Sequence, residues 1–455
     1  MKAGFAKFDI TPRSGVGLYG FGPFLNRYSI AVRDKLEARA GVFELDGKRV
    51  VMIGCDLCTL QAETCAKIRE IIMANIGGLG KTDILISTSH THSGPATVDS
   101  DMGWGVPDAP YMEILPYKIA QAAIDAFGKL EETTVSSALV PCRHIGLNRV
   151  YDKDAPPLED VLNEDWEPEK PELTDTECRV MRFDDSNGKM KGFMAYFGCH
   201  PVVCCQSSRY IHGDYPAIAI HSLMRQFPES TGIFLQGAEG DVNSGCVHKG
   251  ENESLLALDV FAGRFANAIR NGLASARPLE IDTLRAYSGI FEFSTRVNFT
   301  LEHLKQLQQE YESVLHSPSA SDAAHEVRIK AVYLMGVKKM MEFLQSGKSP
   351  VVEAEIQGIR MGPLEFLGAP FEIMQAIKND TFSKVRSGMP MVMSLCNGAC
   401  GYAPDQTSIN ATLERANRGG YEAAMVPLMQ GRLPYANIHE ELVNAFCEAD
   451  RMLQA

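Results

Sequence analysis

Short apolar runs bounded by turn residues alternate along this chain with segments whose apolar positions recur every three to four residues. Glu37–Leu45 is mostly alternating or apolar, Asp46-Gly47 supplies a turn, and Arg49–Cys55 reads as a buried strand. That pattern predicts two strands joined by a tight turn. Cys65, Ile68, Ile71 and Ile72 share one side of a helix over 61–75, which Gly77-Gly78 ends. A short strand follows over Asp83–Thr88, then an amphipathic helix over 111–128. This strand–helix–strand–helix order predicts an α/β layer structure.

Residues 150–175 are rich in Pro, Asp and Glu and read as an exposed loop. Strands are expected over Lys191–Cys199 and Gly232–Gln236. A helix over 253–273 gathers Leu255, Leu258, Phe261 and Phe265 on one side. Residues 300–346 are strongly helical but broken near His316-Ser317-Pro318-Ser319. They read as a helical hairpin inserted between strands, either beside the pocket or as an oligomer contact. Val351–Ile359 and Leu364–Leu367 are expected to resume the sheet, and a helix near 437–453 closes the chain. The expected fold is α/β: a mixed β-sheet core flanked by helices, with residues 1–455 as one catalytic domain and 300–346 as an insertion within it. There is no internal repeat.

Charge narrows the function. The net charge is −13, and an acidic chain lacks the Lys/Arg excess that nucleic acid or anionic membranes require. The N-terminus, Met1 to Ile10, has no apolar run of signal-peptide length, and no stretch is long enough to span a bilayer. The expectation is a cytoplasmic protein with a small-molecule substrate and no membrane insertion. The 12 Cys have no regular spacing and read as reduced thiols, many of them buried.

The strongest chemical signal is Ser87-Thr88-Ser89-His90-Thr91-His92-Ser93-Gly94-Pro95, between a strand and a Gly-Pro turn. In an extended segment, residues two apart point the same way, so His90 and His92 aim both imidazoles at one point. His200, in Phe197-Gly198-Cys199-His200-Pro201, also caps an apolar strand. Three histidines at strand ends suit a catalytic zinc, Zn2+, with an open position. Zinc there would acidify water to a pKa of about 7 and polarise a carbonyl. Gly237-Ala238-Glu239-Gly240-Asp241-Val242-Asn243-Ser244-Gly245 forms a tight turn after a strand, and Asp241 is a candidate to orient a ligating histidine. Glu372, in Ala369-Pro370-Phe371-Glu372, is either a further ligand or base, or a helix N-terminal acid. His212 is the reserve ligand, and it or Asp214 is a candidate to support the metal ligands. His144, His248, His303, His316, His325 and His439 read as structural or surface residues. Cys199, Cys204, Cys205, Cys396 and Cys400 offer a rival thiolate site, although their spacing does not match a zinc ribbon.

These pieces in this order resemble the neutral (non-lysosomal) ceramidase family. The resemblance runs through Asp9-Ile10-Thr11-Pro12, Arg39-Ala40, Asp56, His90-Thr91-His92-Ser93-Gly94-Pro95, Leu147-Asn148-Arg149, His200-Pro201, Gly240-Asp241-Val242, Pro370-Phe371-Glu372 and Gly401-Tyr402, over roughly 4–425. It implies zinc held by His90, His92, His200 and Glu372, with Tyr402 closing the shell. It also implies Arg149 and Tyr421 in the substrate pocket. Two departures stand out. The family's turn reads Gly-Asp-Val-Ser-Pro with a serine essential to catalysis, and here Asn243 takes that place, followed by Ser244. The chain also ends before the family's C-terminal immunoglobulin-like domain.

The sequence therefore points to a zinc-dependent hydrolase of an amide (N-acyl) bond acting through zinc-activated water, on a substrate other than ceramide. Arg149, Tyr402 and Asn243 would stabilise an oxyanion or position the substrate, and Tyr421 would face it. The alternatives are metal-dependent cleavage of a glycosidic or other polar bond, and a non-catalytic binding protein stabilised by its metal.

Overall fold

The computed structural model describes residues 1–98, 101–152, 156–163, 165–409 and 416–455. Side-chain alternation along the central strands decides the layering. On strand Lys48–Cys55, Val50 and Met52 join one core cluster and Val51 and Ile53 another, and all four are fully buried. Strand Met190–Phe197 repeats this, with Met194 and Tyr196 on one face and Phe193, Ala195 and Phe197 on the other. Strands buried on both faces need cover on both sides.

The cover differs between the faces. Helices Ala62–Asn75 and Ala109–Phe127 pack on the Val51/Ile53 side, and Asp214–Gln226 and Glu251–Ser275 pack on the Phe193/Phe197 side. The opposite face meets a second sheet, where Met52, Phe183 and Met194 pack with Ile359, Leu364, Phe366 and Met391. Helix Ile438–Gln454 covers the outside of that second sheet through Leu442, Phe446 and Leu453. Helices, sheet, sheet and helix thus form four layers, an α/β fold with a mixed sheet at its centre.

The large sheet runs in the order Thr231–Gln236, Met190–Phe197, Glu177–Asp185, Glu131–Pro141, Lys2–Asp9, Glu37–Leu45, Lys48–Cys55, Ile84–Thr88. Its first and last pairs are parallel and the rest antiparallel. The sheet curls until its ends approach. A Cβ on Gly54 would come within 2.7 Å of the Phe234 carbonyl oxygen, so only glycine fits there.

Two expectations are corrected. Val352–Met361 and Leu364–Gly368 do not resume the first sheet, but build the second with Leu284–Phe293 and Met389–Met393. Apolar alternation tells which face of a strand is buried, not which strand it pairs with. The 150–175 loop contains a short helix, Leu158–Leu162; its residues 153–155 and 164 lie outside the described residues. The hairpin is present as helices Leu301–Leu315 and His325–Gln345, between two paired strands of the second sheet. Its Val337 and Met340 pack with Trp104, Val426 and Leu428.

Candidate metal centre and its pocket

Both parallel strand pairs of the large sheet end at one place, because the curl brings them together. His90 and His92 follow Ile84–Thr88, and His200 follows Met190–Phe197. The carboxyl ends of parallel strands are the favoured site position in α/β sheets.

His90 is not extended, as the sequence reading required, but has φ +68°, a region few non-glycine residues adopt. The segment turns there, fixed by the backbone bonds Ser89 N–H to Cys55 O (2.9 Å) and His90 N–H to Leu57 O (2.9 Å). His90 and His92 therefore converge through a turn rather than through strand alternation. Their Nε2 atoms lie 3.2 Å apart. Gly20 makes room for this, since a Cβ there would sit 2.4 Å from Cγ of His92.

Backbone carbonyls set the ring orientations. His90 Nδ1 lies 2.9 Å from Cys58 O, and His200 Nδ1 lies 2.6 Å from Glu239 O. Carbonyls only accept, so each Nδ1 carries its hydrogen and each Nε2 turns to the centre. There Glu372 Oε2 lies 3.3 Å from His90 Nε2 and 3.4 Å from His200 Nε2. His200 Nε2, Glu372 Oε2 and His92 Nδ1 are buried without a hydrogen-bond partner among the described residues. Donors held about 2.0–2.1 Å from a tetrahedral zinc lie about 3.3 Å apart, so the observed separations fit such an ion. Two triads of donors fall within 4.8 Å of one another, His90–His200–Glu372 and Cys58–His90–His92.

The electrostatics match a cation site. Burial opposes a charged His90, but Cys58 and Glu372 outweigh it and hold the pKa well above the usual value. Burial also works against a charged Glu372, yet His90 and His200 hold its carboxyl well below the usual range. Burial, with His90 and His200 alongside, pushes His92 well down. Burial lowers His200 to about 4, with the nearby Glu372 carboxylate opposing.

A cavity of about 630 Å³ opens onto these donors, lined among others by Tyr19, Phe21, Trp104, Arg149, Asn243 and Tyr421. Arg149 is fixed on three sides. It donates from Nε to Glu422 (2.7 Å), from Nη1 to Asn243 Oδ1 (3.2 Å) and from Nη2 to Gly240 O (2.6 Å). Its guanidinium lies 5.2 Å from the Tyr402 ring centre and 5.4 Å from that of Tyr421. Tyr402 pairs with Glu372 in a short parallel bridge, and its ring stacks on His200 at 6.5 Å. Burial raises the pKa of both tyrosines, so both phenols keep their protons. Asn243 lies on strand Val242–Ser244, paired with Gly146–Asn148. Neighbouring strand residues face opposite ways. Asn243 lines the cavity, whereas Ser244 is fully buried and does not stand in for the family serine.

Other candidates fall elsewhere. Asp241 accepts from Asn148 Nδ2 (2.7 Å) and Gln375 N–H (2.9 Å), and so braces the turn rather than a histidine. His212 is outside both donor triads, and its Nδ1 accepts from Asp214 N–H. Asp214 accepts from Val203, Cys204 and Tyr215 N–H. Glu372 is in a bridge strand, not at a helix start; the next helix begins at Gln375. Cys199, Cys204, Cys205, Cys396 and Cys400 form no donor group among the described residues, and all 12 cysteines are free thiols. His248, read as structural or surface, stands on the cavity wall. Cys58, Glu422 and Gly20 carried no sequence signal, since none belongs to a metal-like spacing.

The family model described as neutral/alkaline non-lysosomal ceramidase, N-terminal, matches residues 1–245. The chain belongs to the neutral/alkaline ceramidase family. Neutral ceramidase B of Dictyostelium discoideum is 25% identical over 255 residues, 52% of this chain and 34% of that protein. Neutral ceramidase of Oryza sativa subsp. japonica is 25% identical over 248 residues, 52% of this chain and 30% of that protein. The match thus spans about a third of these ceramidases' own length. The crystal structure of neutral ceramidase from Pseudomonas aeruginosa superposes with a TM-score of 0.72 at 18% identity, covering 99% of this chain and 75% of that one. The ceramidase fold therefore extends beyond the matched 245 residues to include Glu372, Tyr402 and Tyr421.

Proposed function

We propose that this ceramidase-family chain is a zinc-dependent hydrolase of an amide bond in an N-acyl substrate. The observation that carries the reading is the convergence of His90 Nε2 and His200 Nε2 on Glu372 Oε2 at 3.3–3.4 Å, with His200 Nε2 and Glu372 Oε2 buried and without a hydrogen-bond partner among the described residues. His90, His200 and Glu372 would hold the ion, with His92 as the adjoining donor and Tyr402 beside them. When bound, zinc supplies Lewis acidity toward a carbonyl and toward water.

The chain's own groups supply the rest. Arg149 cannot accept a hydrogen bond, so the atom of Asn243 facing it is Oδ1, and the Asn243 amide N–H groups remain as donors. They would meet charge developing on a carbonyl oxygen, a kind of contact worth about 2.7–4 kcal/mol in acyl transfer. Tyr402 and Tyr421, kept protonated by burial, would orient the substrate with Arg149. Asn243 cannot act as a nucleophile, so the reading requires no covalent acyl-enzyme. The polar residues Arg149, Asp152, Glu422 and Gln430 on the cavity wall favour a substrate more polar than ceramide.

The test is a screen of N-acetyl and N-octanoyl anilides against matching esters and aryl glycosides. Amide turnover by wild type, absent from His90→Ala, is the expected result. Glycoside cleavage without amide turnover would sink the amide reading.

A further inference from the structure

The second donor triad stands outside the set just described. Cys58 follows strand Lys48–Cys55 and lines the cavity beside His90 and His92. Its Sγ lies 3.5 Å from His90 Nδ1, while His90 Nε2 lies 3.3 Å from Glu372. His90 thus turns Nδ1 toward Cys58 and Nε2 toward Glu372. His92 is more than nine-tenths buried, and its Nδ1 has no partner among the described residues. Cys58, His90 and His92 each bring one donor atom within 4.8 Å of the others.

We propose that Cys58 is a thiolate donor to this centre, so that Cys58–His90–His92 forms a second position for a thiophilic divalent ion beside His90–His200–Glu372. The inference rests on reading the pocket as a metal site. A sulfur and two imidazoles form a softer set than two imidazoles and a carboxylate, and softness selects zinc or cadmium over magnesium or calcium. Binding would replace both the thiol hydrogen and the hydrogen on His90 Nδ1 by the metal, and the two protons pass to bulk water. It would also draw Nδ1 of His90 off the Cys58 carbonyl, which holds it at 2.9 Å. The two positions share His90 and contend for His92, so the thiolate position fills when a thiophilic ion is in excess.

The experiment uses full-length protein stripped with a chelator and titrated with Cd2+, followed by the ultraviolet thiolate-to-cadmium charge-transfer band. Cys58→Ser, which still binds an ion, is expected to lose a band that Glu372→Gln keeps. Ion binding with the same band in wild type and Cys58→Ser, or with no band, overturns the thiolate position and leaves the first site standing. No ion binding in any variant overturns both. If Cys58→Ser does not fold, wild-type protein is alkylated with iodoacetamide with and without Cd2+ and the label at Cys58 is read by mass spectrometry. About tenfold protection is expected, and equal labelling overturns the proposal.

Discussion

Arg149 donates from Nη1 to Oδ1 of Asn243 across 3.2 Å, and this one bond fixes which way the amide faces the pocket. If the pocket-facing amide N–H groups stabilise an oxyanion, Asn243→Ala lowers kcat by about 10²–10³-fold. KM and thermal stability change little, because the strand keeps its backbone pairing. Steady-state kinetics with the best anilide reads this. An unchanged kcat would remove Asn243 from the reaction.

Gly20 and His92 give a second prediction. Gly20 has φ +121°, and its missing Cβ leaves space for the His92 ring. Gly20→Ala forces the ring aside and strains the backbone, at about 1–3 kcal/mol. Metal affinity falls by about 10–100-fold, the usual range for disturbing a ligand's support. Competition with a chromophoric chelator measures it; wild-type affinity in the variant would show that His92 is not a ligand.

A third prediction concerns the hairpin. A Cβ on Gly336 would lie 1.7 Å from the Leu428 carbonyl oxygen, so Gly336→Ala must push the hairpin off the segment behind the pocket wall. A loss of about 1–3 kcal/mol is expected, with faster hydrogen exchange in 301–345 and around 426–430. Exchange unchanged in 426–430 would mean that the hairpin does not brace the wall.

pH tests a fourth point, away from the candidate metal centre. Burial, with Asp450 alongside, raises Glu365 from 4.5 to about 8. A folded pKa raised above the unfolded value means stability that is full below about 4.5 and lost as pH rises through about 8. Glu365→Gln removes that dependence. Wild type is expected to lose more melting temperature than the variant between pH 6 and pH 9, as calorimetry would show. Parallel profiles would refute the assignment.

Much of the site was legible from residue order. His90, His92 and His200 all cap apolar strands, and strand ends at a sheet edge are where ligands gather. Tyr402, Arg149 and Tyr421 came only through the family resemblance, because a lone Tyr or Arg has no spacing to mark it; Glu372 stood out as an acid after an apolar strand, but a helix N-terminal role competed with the ligand role. Cys58 escaped because its tie to His90 is tertiary. The central strand Lys2–Asp9 was missed because Lys2, Lys7 and Asp9 interrupt its small apolar residues. The second sheet was missed because alternation in Val352–Met361 gives a face and not a partner.

The most direct test of the account is metal analysis of protein purified with no added metal, beside His90→Ala and Glu372→Gln. The account predicts about one zinc per wild-type chain and its loss in both variants, with the fold intact by circular dichroism. A wild-type protein that stays metal-free when zinc is supplied would contradict it, because the convergence of His90, His200 and Glu372 would then serve no ion.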